Sequence, residues 1–254
     1  MKKRLKLILF LLSALVATIN ADESLQDKFR EGTALYTAGK YTEALDAWLT
    51  VYRSGMISPE LEYNIGNAFF KLNDIPHSIL FYERALLLKP ADEDIQYNLD
   101  VARTFVVDKF TAVPELFFIT WYNFISLSIS SDAWASLSLA AFVIFLLLLS
   151  FYLFTGRYRL KVAAFWLALF MLLISFSSLS FSLRNRNLVF NSGRAIIVSP
   201  QVNGKSSPDN SGTDLFLIHE GTKVTITDTL GEWNEIRLPD GNKGWIPSES
   251  LEKI

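Results

Sequence analysis

The sequence predicts a multidomain membrane protein in three parts: an all-α solenoid of paired helices, a transmembrane helical hairpin, and an all-β small barrel. Three observations predict it. Two uncharged runs, 133–154 and 162–183, flank a short loop. A self-similarity at an offset of 34 residues runs through the region before residue 110. Short alternating or apolar segments, punctuated by turn clusters, fill the chain after residue 188. These are the signatures of membrane spans, a helical repeat and a small β fold, respectively.

The N-terminal segment 1–21 reads as a secretory signal. Lys2, Lys3, Arg4 and Lys6 form a basic start, 7–16 is apolar, and small residues precede Asp22. Two readings fit, a cleaved signal and an uncleaved anchor, because Ile19 sits where a smaller residue is preferred. Both export the chain from Asp22 onward.

Residues 22–110 read as the helical repeat domain. Leu35, Gly39, Tyr41, Ala44 and Trp48 align with Phe69, Asn73, Ile75, Ser78 and Tyr82, while Gly32 aligns with Gly66 and Val51 with Ala85. Small residues at helix crossings with aromatics around them, repeating every 34 residues, resemble the tetratricopeptide repeat. Segment 93–105 then reads as a single closing helix. Such solenoids bind partners along the first helix of each unit. By register that groove presents Phe29, Thr33, Tyr36, Tyr63, Asn67, Phe70, Lys71, Tyr97 and Val101, and Asn64 stands beside it. Inter-helix packing is the competing role for each aromatic. A clamp for a partner's terminal carboxylate is not expected, because Phe29, Thr33, Asp94 and Asn98 replace its basic positions. Segment 22–114 carries 15 acidic and 9 basic residues, net −6, which favours a basic or neutral partner.

Segment 111–131 is an aromatic linker. Phe117, Phe118, Trp121, Tyr122 and Phe124 suit the headgroup zone, although a helix packed under the repeats is the alternative. The hairpin comes next, at 132–184. A helix the length of either uncharged run spans about 33 Å, enough for a hydrocarbon core of roughly 30 Å. Arg157, Arg159 and Lys161 pull the 155–161 loop to the cytoplasm, while Arg184, Arg186 and Arg194 pull the other way. The N-terminal signal breaks the tie and places both soluble regions outside, in the periplasm. Ser175, Ser177, Ser178, Ser180 and Ser182 mark the second run for close helix packing rather than ion conduction.

Residues 188–254 read as the β domain. Strands are expected at 195–199, 214–218, 223–228, 234–238 and 243–246, with turns at Asn203-Gly204, Glu220-Gly221, Leu230-Gly231 and Asp240-Gly241. The series His219-Glu220-Gly221-Thr222-Lys223-Val224, Glu232-Trp233 and Gly244-Trp245-Ile246-Pro247 resembles the bacterial Src-homology-3 (SH3-like) domain. Strand parity points Ile236 and Leu238 inward and Trp233 outward. Phe216, Trp233 and Trp245 are then a candidate ligand shelf, with plain coverage of the barrel mouth as the other role for Trp233. Ser250 stands where readers of Pro-rich peptides carry a tyrosine, which counts against P-x-x-P recognition. The resemblance to bacterial members, commonly cell-wall binders, implies peptidoglycan as a candidate ligand.

No catalytic site is expected. Two histidines, no Gly-rich phosphate loop, no His-Glu-x-x-His and no Gly-x-Ser-x-Gly leave no nucleophile, base or metal set. Zero cysteines remove disulfides, thiol chemistry and cysteine ligands. No metal and no cofactor is implied. A net charge of −2 argues against nucleic-acid binding.

The order of parts resembles the E-type (BatE-like) family of the Bacteroides aerotolerance operon over essentially the full chain. That resemblance implies an inner-membrane protein working beside von Willebrand factor A-domain membrane proteins of the same operon and a MoxR-type ATPase, in stress tolerance or envelope maintenance. The expected function is a non-enzymatic scaffold for protein partners; the alternative is a cell-wall sensor or anchor acting through the barrel.

Overall fold

A computed structural model describes residues 24–111, 114 and 116–254. The expected signal at 1–21 lies outside the described residues.

Five helices form the first body: α1 (24–37), α2 (Tyr41–Arg53), α3 (Pro59–Lys71), α4 (Ile75–Leu88) and α5 (Glu93–Thr104). Their starts are set by local chemistry. Ser58 accepts the N–H of Leu61, Asp74 that of His77, and Asp92 those of Asp94 and Ile95. These caps satisfy helix N–H groups that have no partner within the helix. Tight turns join α1 to α2 and α3 to α4, and both pass through a left-handed residue: Gly39 at φ 77° and Asn73 at φ 62°. Glycine and asparagine tolerate that region best.

The spacing of 34 has a packing cause. The Trp48 ring lies over Gly32, where an added Cβ would meet it at 2.5 Å, and the Tyr82 ring lies over Gly66 at 2.7 Å. Each pair lets an α1–α2 or α3–α4 hairpin close to backbone distance. Trp48 is buried, and its Nε1 donates to the Phe29 carbonyl at 3.1 Å. Around these rings Val51, Leu61, Ile65, Ile79, Leu80, Ile95 and Leu99 build one core.

Helix α6 (Phe117–Ser126) occupies the aromatic linker and leads into α7 (Ser131–Phe154) and α8 (Tyr158–Phe190). Both long helices are long and apolar enough to cross a membrane, with mean hydropathy 2.6 and 2.2. They are held by serines. Ser138 Oγ donates to the Ser175 carbonyl at 2.9 Å, Ser175 Oγ returns a bond to the Ser138 carbonyl at 3.0 Å, and Ser131 Oγ donates to the Ser182 carbonyl at 3.0 Å. Ala141, Ala164 and Ala168 are buried in the same seam. Small residues permit such approach between helices. Of the five serines singled out on the second run, Ser175, Ser178 and Ser182 are buried, whereas Ser177 and Ser180 are exposed.

Several expected boundaries shift. The expected 155–161 loop shortens to 155–157, because α8 starts at Tyr158. α7 starts at Ser131, capped by Ser130, inside the expected linker. α8 runs on to Phe190, so 188–190 belong to the helix rather than to the β domain. Nothing between Arg184 and Phe190 breaks a helix, and the chain turns only at Gly193, φ 62°. At about 50 Å, α8 outreaches a bilayer core and its last turns carry the β domain directly.

That domain is a seven-stranded antiparallel sheet: β1 (Arg194–Ile197), β2 (Gln201–Lys205), β3 (Asp214–His219), β4 (Lys223–Leu230), β5 (Trp233–Arg237), β6 (Lys243–Pro247) and β7 (Leu251–Lys253). Spatial order is β3-β2-β6-β5-β4-β1-β7. β2 and β7 exceed the five strands expected. Asn203-Gly204 is not a turn: both residues pair inside β2, with Leu217 and Phe216. Gly204 is there because the Phe216 ring fills the place of its Cβ, which would lie 2.1 Å from that ring. Ile197, Ile218, Val224, Ile236, Leu238 and Ile246 form the core.

The helical body and the sheet pack on each other. In β1, Ala195 and Ile197 point into the sheet's own core, while Ile196 joins the core of the helical body. A strand covered on both faces reads as a continuous apolar run, as Ala195-Ile196-Ile197 does.

Candidate functional site

Two concave surfaces and one buried polar seam carry the functional groups. The first surface is a cavity of about 280 Å³ on the helical body, lined by Tyr36, Tyr63, Asn67, Phe70, Lys71, Tyr82, Asn98 and Val101. Four helices build it: Tyr36 comes from α1, Tyr63 to Lys71 from α3, Asn98 and Val101 from α5. Tyr82 reaches through from α4.

Its polar groups are bonded to one another. Tyr82 Oη donates to Asn67 Oδ1 at 2.7 Å, and Asn98 Nδ2 donates to Tyr63 Oη at 2.7 Å and to Asn67 Oδ1 at 3.1 Å. Burial pushes the Tyr36, Tyr63 and Tyr82 phenols above their ordinary pKa, so all three remain neutral at physiological pH. The surface therefore offers phenols, amides, aromatic faces and one ammonium, a set suited to binding rather than to proton transfer.

Of the residues expected from register, Tyr36, Tyr63, Asn67, Phe70, Lys71 and Val101 meet here. Four do not. Phe29 packs beside Trp48, ring centroids 6.5 Å apart. Thr33 is exposed and bonds back to the Phe29 carbonyl. Asn64 is partly buried on α3 but outside the lining, and Tyr97 is 69% exposed on α5. Tyr82 and Asn98 are not among the register positions. Tyr82 aligns with Trp48 and reads as packing. Asn98 stands only as a departure from the carboxylate clamp.

The second surface is a cleft of about 420 Å³ at one end of the sheet, lined by Asn210, Glu232, Trp233, Pro247, Ser248 and Glu249. Asn234 supports it from below through Nδ2 to Ser248 Oγ at 2.8 Å. Trp233 lies in it, paired with Pro247 across β5 and β6. The expected shelf does not assemble as one surface. Trp245 is partly exposed on the same outer face of the sheet, opposite Glu235, and outside the cleft lining. Phe216 turns inward over Gly204 and Gly244, where it packs on the sheet core.

The polar seam joins the two bodies. Glu83 of α4 is buried between Arg103 of α5 (Nη2 to Oε1, 2.7 Å) and Lys223 of β4 (Nζ to Oε2, 2.6 Å). Burial alone would raise the Glu83 carboxyl; the two cations outweigh it and hold the carboxyl below its usual range. Burial pulls Lys223 down against the pull of Glu83, and the 2.6 Å contact is that of a charged pair. Both histidines belong to this seam. His219 faces Asp108. His77 bonds Asp74 at 2.7 Å, which raises its pKa, and its Nε2 lies 3.4 Å from Glu252 of β7. Arg84 donates to the Lys253 carbonyl. Among the described residues no cluster of three or more His, Cys, Asp or Glu side chains is placed to hold a metal ion.

No curated protein matches this chain. Residues 202–252, running from β2 into β7, match the bacterial SH3 domain family, and the C-terminal sheet is a domain of that kind.

Proposed function

We propose that this chain is a non-enzymatic scaffold of a bacterial inner membrane that holds a protein partner in the groove of its helical body. In this reading α1 to α5 are tetratricopeptide units. The N-terminal signal places both soluble bodies in the periplasm and the 155–161 loop in the cytoplasm. The chain acts as an E-type aerotolerance protein, and its partners are von Willebrand factor A-domain membrane proteins of the same operon.

One observation carries the binding role: the polar groups of the Tyr63–Asn67–Tyr82–Asn98 cluster are already mutually bonded at the cavity floor. A surface ordered before the partner arrives loses little side-chain freedom on association. Docking of the SH3 domain on α4 supports the scaffold role, since it holds two binding surfaces in one fixed relation above the hairpin.

The test uses the full chain in detergent. Wild type should recover A-domain membrane proteins from solubilised membranes, and a Tyr63→Ala, Lys71→Glu double variant should lose them. Undiminished recovery by the double variant overturns the groove role. Reporter fusions at the 155–161 loop and after Ile254 check orientation: a periplasmic loop reverses every compartment named here.

A second reading rests on the Trp233 cleft and the bacterial SH3 match. There the chain grips the cell wall. Full-length protein should then sediment with purified peptidoglycan, and Trp233→Ala should release it. Absence of co-sedimentation at low salt removes this reading.

A further inference from the structure

We infer that the outer end of the hairpin holds one phospholipid with a phosphoethanolamine-type headgroup, seated between the helical body and the two long helices. The inference rests on α7 and α8 being membrane spans and not on the identity of any protein partner.

A cavity of about 500 Å³ lies where the end of α4, the start of α7 and the last turns of α8 converge. Its depth is set by the sequence. Asp132 directly precedes the uncharged run 133–154, and Arg186 lies three residues beyond the run ending at 183. Both therefore stand at the headgroup level of the same leaflet. The wall is mostly apolar: Leu87 comes from α4, and Leu179, Leu183, Val189 and Phe190 from α8. Ser130, Ser131 and Ser182 are its neutral polar groups. An acyl chain descending past Leu183 and Leu179 enters the hydrocarbon beside α8.

The two charges select the headgroup. Among the described residues, neither the Asp132 carboxylate nor the Arg186 guanidinium forms an ion pair or a side-chain hydrogen bond. Arg186 faces only the Phe190 ring, 5.9 Å away. The neighbouring Arg184 is consumed instead: it donates to Ser126 and Asn123 and stacks on Tyr122. Asp132 lies in the first turn of α7. An unanswered carboxylate and an unanswered guanidinium in one cavity complement an ammonium and a phosphate joined by a short linker. A phosphoglycerol head answers the arginine but offers the carboxylate only neutral hydroxyls and no cation. A quaternary choline offers it no N–H donor.

The full chain is reconstituted in nanodiscs of equal phosphatidylethanolamine and phosphatidylglycerol, moved to detergent, and the retained lipid is read by native mass spectrometry. Wild type should keep one phosphatidylethanolamine per chain. Arg186→Gln should cut that retention about tenfold, the loss expected for one charge-assisted contact. Asp132→Asn should erase the preference between the two lipids. Retained lipid that mirrors the bulk mixture, or that favours phosphatidylglycerol, in wild type overturns the inference. So does unchanged retention in both variants. Wild-type selectivity alone decides the matter if a variant fails to fold.

Discussion

Asp108 ties the helical body to the SH3 domain through His219. Its Oδ2 accepts the His219 backbone N–H at 2.7 Å, and its Oδ1 lies 2.9 Å from the His219 ring Nδ1. Thr222 Oγ1 donates to the same Oδ2 at 2.7 Å. Burial acts to raise the Asp108 pKa, but these donors outweigh it and hold the carboxyl below its usual range. Asp108→Ala strands three donors at once and is expected to destabilise the docked pair by about 2–3 kcal/mol. The direction of the pH dependence is fixed by that depression. A depressed carboxyl stabilises fully above its unfolded value of about 3.9 and loses that contribution as pH falls through the folded value. Denaturation of the full chain should show a wild-type advantage at pH 7 that shrinks as pH falls below the unfolded value of about 3.9. A gap independent of pH would mean that Asp108 acts by packing alone.

Glu83 is the second tie, and its prediction concerns a pair rather than a residue. Lys223→Met leaves a buried carboxylate with one cation fewer, so it should cost about 3 kcal/mol or more. Replacing both, Glu83→Leu with Lys223→Met, removes the stranded charge and should recover part of that loss. Arg103 then loses its buried partner but is 40% exposed and keeps Asp100, Nη1 to Oδ1 at 3.0 Å. The check is a double-mutant cycle on thermal unfolding. A double variant no more stable than Lys223→Met would show that the pair's charge is not what matters.

The parts that are legible in the sequence share a cause, and so do the parts that are not. The repeat shows because Gly32 under Trp48 and Gly66 under Tyr82 are the same contact made twice, and a contact set by local helix spacing leaves a period. The hairpin shows because two uncharged runs, each long and apolar enough to cross a bilayer, stand out from any charged segment. Ile196 leaves a trace too, since a strand buried on both faces loses its alternation. The docking seam leaves none. Asp108 and His219 are 111 residues apart, and no local pattern links them. Glu83 and Glu62 look like surface carboxylates on helices, yet both are buried. In the groove, α1 and α3 positions are given by register, but Tyr82 and Asn98 join by a hydrogen-bond chain that crosses three helices.

Gly204 gives a prediction that separates steric from turn chemistry. If Asn203-Gly204 were a hairpin turn, Gly204 would take a positive φ and an alanine there would be strained whatever stands at 216. In the sheet, the Phe216 ring occupies the place of that alanine's methyl, and its Cζ also lies 2.9 Å from where a Cβ on Gly244 would be. Gly204→Ala should therefore destabilise the SH3 domain by about 1–3 kcal/mol, as overpacking does. Phe216→Leu made in the same chain should relieve part of it. Thermal melting of wild type, both single variants and the double variant checks this. Additive losses would mean that Phe216 is not the obstacle.

Glu62 of α3 carries the last prediction. It is 3% exposed, its Oε2 has no hydrogen-bond partner among the described residues, and burial pushes its pKa up to about 7, against the pull of Arg84. For an acid raised in this way the folded state keeps its proton while the unfolded chain, at about 4.3, gives it up. Stability is thus intact at low pH and falls as pH rises from the unfolded to the folded value. The full penalty above neutrality is at most about 4 kcal/mol, taking about 1.4 kcal/mol per unit. Glu62→Gln cannot ionise and escapes it. The variant should match wild type near pH 4.5 and exceed it at pH 8, with the gain growing between them. Chemical denaturation at those two pH values checks the claim. An equal offset at both would assign the effect of the substitution to shape, and Glu62 would then be an ordinary neutral spacer against the end of α8.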